Sequence, residues 1–162
     1  PYRRRCPACG WRYWGNPRPT ATALVSRAGA RGPELLLVRR AREPHKGLWD
    51  IPGGFIEWEE EAEAALRREL REEAHIEVGA LALHGVWRDE YEEEGRVECA
   101  LNIVFSAPLA SPHGGVAGDD ADSLAWFAAD ALPPLAEIAF DSGKGAVARW
   151  LEAQRATHAP SV

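Results

Sequence analysis

The run EWEEEAEAALRRELREEAHI, Glu57–Ile76, constrains this chain more than any other stretch. Good helix formers fill it and neither Pro nor Gly interrupts it, so it predicts a helix over roughly 58–74. At about 100° per residue, Ala62, Ala65, Leu66 and Leu70 fall on one apolar stripe. Glu69 and Glu73 lie inside that stripe and Glu72 at its edge, where a core-facing helix normally carries aliphatics. Glu60, Glu63, Arg67 and Arg71 map to the opposite, solvated side. Unpaired carboxylates turned inward cost several kcal/mol each, and clustering raises the cost. Two remedies are available: a basic partner such as Arg68, or a hard divalent cation, for which carboxylate oxygens suit Mg2+ or Mn2+. A bland reading competes, because a charge run is usually a wet helix face.

The rest of the chain supplies the scaffold. At 162 residues it is long enough for one domain with a real core. TATALVSRA at 20–28 and ELLLVRRA at 34–41 read as strands joined by a turn at Gly29–Pro33. The loop REPHKGLWDIPGG leads into the helix, and LALHGVWRDEYEEEGRVECALNIVFSA reads as a long hairpin with Glu92–Glu94 at its tip. In its second arm Val97, Cys99, Leu101, Ile103 and Phe105 alternate with polar or small residues, which makes Cys99 a plain buried thiol. SPHGGVAGDDAD is a polar loop, SLAWFAA a short strand, and 142–156 a closing helix with Ala146, Val147, Trp150 and Leu151 on one side. The β-β-α-β-β-β-α order implies an α/β sandwich with a mixed sheet. Residues 1–19 form an Arg-, Pro- and Gly-rich arm, 20–156 the domain proper, and 157–162 a tail.

Charge and cysteine content narrow the function. A net charge of −6 argues against a nucleic-acid backbone as the main partner. No run of eighteen apolar residues exists, so no membrane helix is expected. PYRRRCPACG lacks an apolar core and does not read as a secretory signal. The chain holds no Met, which leaves room for residues upstream. Three Cys suit a reducing, cytoplasmic setting better than a disulfide framework.

With these residues in view, GGFIEWEEEAEAALRRELREEAHI resembles the Nudix box, Gly-x5-Glu-x7-Arg-Glu-U-x-Glu-Glu-x-Gly-U, with U aliphatic. Gly54, Glu60, Arg68, Glu69, Leu70, Glu72, Glu73 and Ile76 fill it in register, and His75 replaces the last Gly. GLWDIPGG before it and SLAWFAADALPPLAEIAF after it resemble the flanking Nudix segments. The resemblance implies a Nudix-type α/β/α sandwich and a divalent-metal-dependent pyrophosphohydrolase that cleaves a nucleoside diphosphate linked to another moiety. Glu69 and Glu73 would be the main ligands of Mg2+ or Mn2+, with Glu72 sharing metal or base duty and the Gly53 carbonyl a further ligand. Arg68 would orient the box through a glutamate such as Glu60. His75 falls where the helix ends; Gly there often takes the left-handed conformation, and His tolerates it at a modest cost.

Other assignments stay open. Asp119, Asp120 and Asp122 could complete the site from a later loop, although Asp and Gly also make solvated turns. Glu57 is a further candidate ligand. Arg27 and Arg39 could meet substrate phosphates, and Trp49, Phe55, Trp87 and Tyr91 could stack a base, although aromatics more often pack in cores. ADP-ribose, nucleotide sugars, (deoxy)nucleoside triphosphates and dinucleoside polyphosphates all remain as substrates; patterns for coenzyme A and NADH pyrophosphatases are not visible. Cys6-Pro-Ala-Cys9-Gly resembles the second half of the zinc ribbon that precedes some Nudix domains. A closed Zn2+ site takes four ligands, so zinc requires a complete ribbon. A homodimer is common among similar proteins. A non-catalytic Nudix-like nucleotide sensor is the competing function, and the intact acidic positions favour the enzyme.

Overall fold

The computed structural model describes residues 4–93, 95–118 and 121–158. A two-stranded sheet forms in the arm from β1 (Arg4–Arg5) and β2 (Arg12–Tyr13). The domain is built on β3 (Arg18–Gly29), β4 (Gly32–Arg40), β5 (Trp49–Asp50), β6 (Gly53–Phe55), α1 (Ala62–Ala74), β7 (Ala82–Glu93), β8 (Arg96–Pro108), β9 (Ala121–Ala128) and α2 (Asp141–His158). Among the described residues the larger sheet has seven strands and is mixed: β3 pairs parallel with β8, and its other ladders are antiparallel. β3 starts two residues before the boundary expected at 19/20 and continues straight out of the arm.

Period-two alternation sends side chains from one strand into two cores. Ala21, Ala23 and Val25 of β3 meet Leu66, Leu70 and Ala74 of α1, together with Leu36, Phe105 and Ala107. Leu24 points the other way, to Leu35, Leu37, Val104, and Ala146, Val147 and Trp150 of α2. Helices thus cover both faces, which is the α/β/α sandwich expected. Burying each such aliphatic contributes about 1.5–3 kcal/mol.

One local event positions everything that follows. β3 and β4 pair as a hairpin only from Ser26↔Leu35 to Gly29↔Gly32, and then splay apart. The segment 49–55 is stitched into the gap. Trp49 and Asp50 pair with Arg39 and Val38, Ala23 donates to the Pro52 carbonyl at 2.9 Å, and Gly53–Phe55 pair with Thr22–Thr20. Gly53 has φ +134°, and a Cβ there would lie 2.3 Å from the Ala21 carbonyl oxygen, so only glycine fits.

Three expectations are corrected. Helix α1 begins at Ala62, four residues later than the run suggests, because Glu57–Glu60 close a turn (Glu60 N to Glu57 O, 3.2 Å). Glu60 therefore precedes the helix. Arg67 does not sit on a solvated face: it is half-buried and donates to the carbonyls of Val78 (2.7 Å) and Gly79 (2.9 Å), tying the helix to the chain that follows it. Cys99 is only half-buried, because its side of β8 runs out past α1, leaving Val97 71% and Leu101 40% exposed. The deeply buried positions at that end lie on the opposite side, at Ala100 and Asn102.

The end of α1 follows expectation. His75 is left-handed (φ 53°, ψ 40°), with its N–H bonded to the Arg71 carbonyl and that of Ile76 to the Leu70 carbonyl. This is a Schellman cap with a non-glycine residue at its left-handed position. His75→Gly relieves that strain but makes the unfolded chain freer. The net expectation is a gain of about 0.5–1 kcal/mol, or about 1–4 °C in Tm, readable by thermal denaturation.

Candidate functional site

The acids of α1 meet the stitched segment at one end of the sheet. Glu73 Oε2 accepts the Gly53 N–H at 3.0 Å. Glu69 lies against Gly54, where an added Cβ would come within 2.6–2.7 Å of its carboxyl atoms. The approach of the Glu69 carboxylate thus accounts for Gly54, as the β3 backbone and the positive φ account for Gly53. Burial pushes the Glu69 carboxyl above its usual range, with the Arg68 guanidinium pulling against it.

Arg68 is the hub. Its Nε and Nη2 grip the two oxygens of Glu60 at 2.8 Å each, a bidentate pair. Nη1 reaches Glu69 Oε1 at 2.8 Å and Glu72 Oε2 at 3.0 Å, and Nη2 also donates to the Phe55 carbonyl at 3.1 Å. One planar fork thereby locks the loop before α1 to the helix and to β6. The same grip drops the Glu60 carboxyl to about 2. Glu72 is the most open of these acids, with 59% of its side chain exposed.

The donor set suits a hard cation. Three carboxylates (Glu60, Glu69 and Glu72) converge on the Arg68 guanidinium, leaving an excess of negative charge beside Gly53 and Gly54, where Glu73 meets the Gly53 N–H. Oxygen donors in that excess fit Mg2+ or Mn2+ and would suit neither a soft metal nor an anion. Among the described residues no group of three or more His, Cys, Asp or Glu is placed so that it could hold a metal ion. Glu69, Glu72, Glu73 and the Gly53 carbonyl carry the oxygens that would have to draw together to hold such an ion.

The other sequence candidates are dispersed. Arg27 pairs with Glu34 at 2.8 Å and lies over Trp126 at 4.2 Å. Arg39 donates to the Gly47 carbonyl at 2.9 Å and flanks Trp49. Neither contact involves the acid cluster. Glu57 is exposed in the turn before α1. Asp119 and Asp120 lie outside the described residues, and Asp122 is exposed on β9. The loop leading to them is bound to the helix, since Val116 N and Gly118 N donate to the carbonyls of Ala74 and Glu73. Trp49 and Trp87 pack against the α2 core. Cys6 and Cys9 form a compact knuckle in which N–H groups of Cys9 and Ala8 face the Cys6 sulfur and hold its pKa below the usual thiol value.

Sequence reasoning missed a second polar group beside the acids. A cavity of about 200 Å³ opens on the other side of Gly53 and Gly54, bordered by Arg40, Asp50, Phe55, Asp89, Tyr91 and Asn102. Thr22 donates to Asn102 Oδ1 (3.0 Å), Asn102 Nδ2 to Ser142 Oγ (2.9 Å), and Ser142 N–H to Asp89 Oδ1 (2.9 Å). Asp50 pairs with Arg40 at 3.2 Å, yet burial still pushes its carboxyl up to about 6. The signal available was a polar residue at strand positions 22 and 102, and period-two alternation set Asn102 opposite the apolar side of its strand without saying what covers it.

The Glu60 shift fixes a pH dependence. A carboxyl depressed on folding stabilises above its unfolded value near 4.3, and that contribution disappears as pH falls toward about 2. Glu60→Gln is expected to be less stable than the parent by a constant margin above about pH 5, with the gap narrowing on further acidification. Urea denaturation of both proteins from pH 7 to pH 3 reads this directly.

The described geometry has counterparts among known proteins. A sequence profile described as the NUDIX domain matches residues 16–151. The chain is 32% identical over 131 residues to the NAD-capped RNA hydrolase NudC of Pseudomonas aeruginosa, a match covering 81% of this chain and 43% of that protein. It is 36% identical over 106 residues to the ADP-ribose pyrophosphatase of Methanocaldococcus jannaschii, covering 64% of this chain and 59% of that one. The chain thus spans about half the length of these relatives. A crystal structure of a MutT NUDIX hydrolase from Burkholderia pseudomallei superposes with a TM-score of 0.68 at 28% identity, over 82% of this chain and 97% of that one. With its helix acids, glycine strand and two-faced mixed sheet all accounted for, the chain belongs to the Nudix family.

Proposed function

We propose that the protein is a divalent-metal-dependent pyrophosphohydrolase acting on a nucleoside diphosphate linked to a second group. The observation that carries this reading is the excess of carboxylates over guanidinium around Gly53 and Gly54. Such a site is repulsive to a pyrophosphate unless a cation intervenes, and strongly attractive to that cation. Glu69, Glu72, Glu73 and the Gly53 carbonyl would hold Mg2+ or Mn2+, which supplies charge neutralisation on phosphoryl oxygens and a more acidic bound water.

The chain's own residues set the geometry. Arg68 holds Glu69 and Glu72 in register with one another and anchors both to Glu60 and Phe55. The Gly53 N–H fixes one oxygen of Glu73. Glu72, the most exposed of the three, is the acid best placed to take a proton from an incoming water. Asp120, Glu57, Arg27 and Arg39 remain candidates for completing the substrate site, as does a structural Zn2+ at Cys6 and Cys9 within a complete ribbon.

Substrate class follows from the relatives only in outline. Their names point to ADP-ribose and to NAD-capped RNA. The second brings back a dinucleotide type that sequence patterns alone had disfavoured, and it makes a nucleic-acid-linked substrate compatible with the acidic chain. No helix among the described residues is long and apolar enough to cross a membrane.

The test is a panel of ADP-ribose, nucleotide sugars, dinucleotides, NAD-capped RNA and deoxynucleoside triphosphates, assayed with Mg2+ and then with EDTA. Release of a nucleoside monophosphate that EDTA abolishes is expected. Glu73→Gln should lower kcat/KM by about 100-fold or more, with Tm changed by only a few degrees. Tight binding of a panel member without product would instead make the domain a nucleotide sensor.

A further inference from the structure

His75 stands in the left-handed position where the Nudix box carries glycine. Among the described residues only His45 shares with it a positive φ without being glycine. Backbone strain of this kind clusters where it serves function. The His75 ring reaches across to the loop that precedes β9, with Nδ1 at 3.3 Å from the Val116 carbonyl oxygen. A carbonyl can only accept, so in this contact the proton is on Nδ1 and the ring donates.

Val116 is thereby held at both of its backbone groups: the carbonyl by His75, the N–H by the Ala74 carbonyl at 3.0 Å. Two residues on, the Gly118 N–H reaches the Glu73 carbonyl at 2.8 Å. Both carbonyls belong to the last turn of α1, for which a helix has no donors of its own. Glycines permit the close approach. A Cβ on Gly118 would lie 2.0 Å from the Glu72 carbonyl oxygen, and one on Gly115 2.7 Å from that of Ala74. The loop is also fastened away from the helix, where Trp126 Nε1 donates to the Gly114 carbonyl at 2.7 Å and the Glu77 N–H to Ser111 Oγ at 2.6 Å.

The turn that the loop covers carries Glu72 and Glu73. Arg68 and the Gly53 N–H each fix one oxygen of these side chains, at their far ends. The loop fixes the backbone from which they project. Ligands that are ordered in advance bind more tightly than ligands that must be ordered by the ion.

We propose that His75 is a positioning residue for the cation site: by tying the loop at 111–118 to the end of α1, it holds the turn that carries Glu72 and Glu73. Glycine at this position cannot make the tie. The proposal deepens the hydrolase reading and rests on it for the presence of the cation.

The parent chain, His75→Gly and His75→Asn are compared. Asn tolerates the left-handed backbone, and its Nδ2 hangs from Cγ as the histidine Nδ1 does, so it can renew the contact. Mn2+ affinity is read by electron paramagnetic resonance titration, and exchange of the Val116 and Gly118 amide protons by NMR. His75→Gly should exchange these protons about threefold or more faster and bind Mn2+ about three- to tenfold more weakly, while its Tm rises as expected for the relieved cap. His75→Asn should return both quantities towards the parent values. A residue that served only the stability of the cap would not lower metal affinity while Tm rises. Unchanged exchange in His75→Gly, unchanged Mn2+ affinity beside faster exchange, or His75→Asn behaving like His75→Gly overturns the proposal while leaving the cation site in place. A parent chain that binds no Mn2+ overturns the cation site itself, and this role of His75 with it.

Discussion

Three carboxylates meet on the guanidinium of Arg68 beside Gly53 and Gly54, with Glu73 against the Gly53 N–H, and the rest of the domain is arranged to make that crowding stable. A charge-assisted, bidentate pair is the strongest hydrogen bond available to a side chain, and Arg68 spends it on Glu60, outside the helix. What remains of the fork aligns Glu69 and Glu72. The guanidinium therefore orders Glu69 and Glu72 without neutralising them, and the residual charge would draw a cation to the site proposed here.

That arrangement depends on the splay between β3 and β4. Had the two strands stayed paired beyond Ser26 and Leu35, no opening would exist for 49–55. The inserted segment brings two glycines against two glutamates on one side and borders the polar cavity on the other. Because α1 packs its Leu66 and Leu70 on β3 and β8, the acids at 69 and 73 are carried by a rigid element at a fixed height over the glycines. A site on a helix and a strand holds its geometry better than one on loops.

Much of this could be read from the residues alone. Helix periodicity placed Glu69 and Glu73 among buried aliphatics, and the box spacing tied them to Arg68 and Glu60. Strand alternation located the second arm of the hairpin, and the apolar run SLAWFAA marked most of the strand found at Ala121–Ala128. The failures have particular causes. The start of α1 carries no Ser, Thr, Asp or Asn at its cap, only glutamates that serve equally in a turn, so its first residue was illegible. Arg67 looked solvent-facing because its partners are backbone carbonyls of Val78 and Gly79, which no side-chain pattern reveals. The Thr22–Asn102–Ser142–Asp89 chain joins residues far apart in sequence, and a polar residue in an alternating strand reads as exposed whenever the covering helix is not yet placed.

On the proposed reading the α1 acids are ordered to receive a divalent cation beside the Gly53 carbonyl. Anomalous diffraction from crystals soaked in Mn2+ tests it most directly. A single strong peak, or a close pair, is expected about 2.0–2.3 Å from oxygens of Glu69 and Glu73, with Arg68 still bound to Glu60. A site without manganese, its glutamate oxygens fully taken by Arg68 and backbone N–H groups at saturating metal, would contradict it.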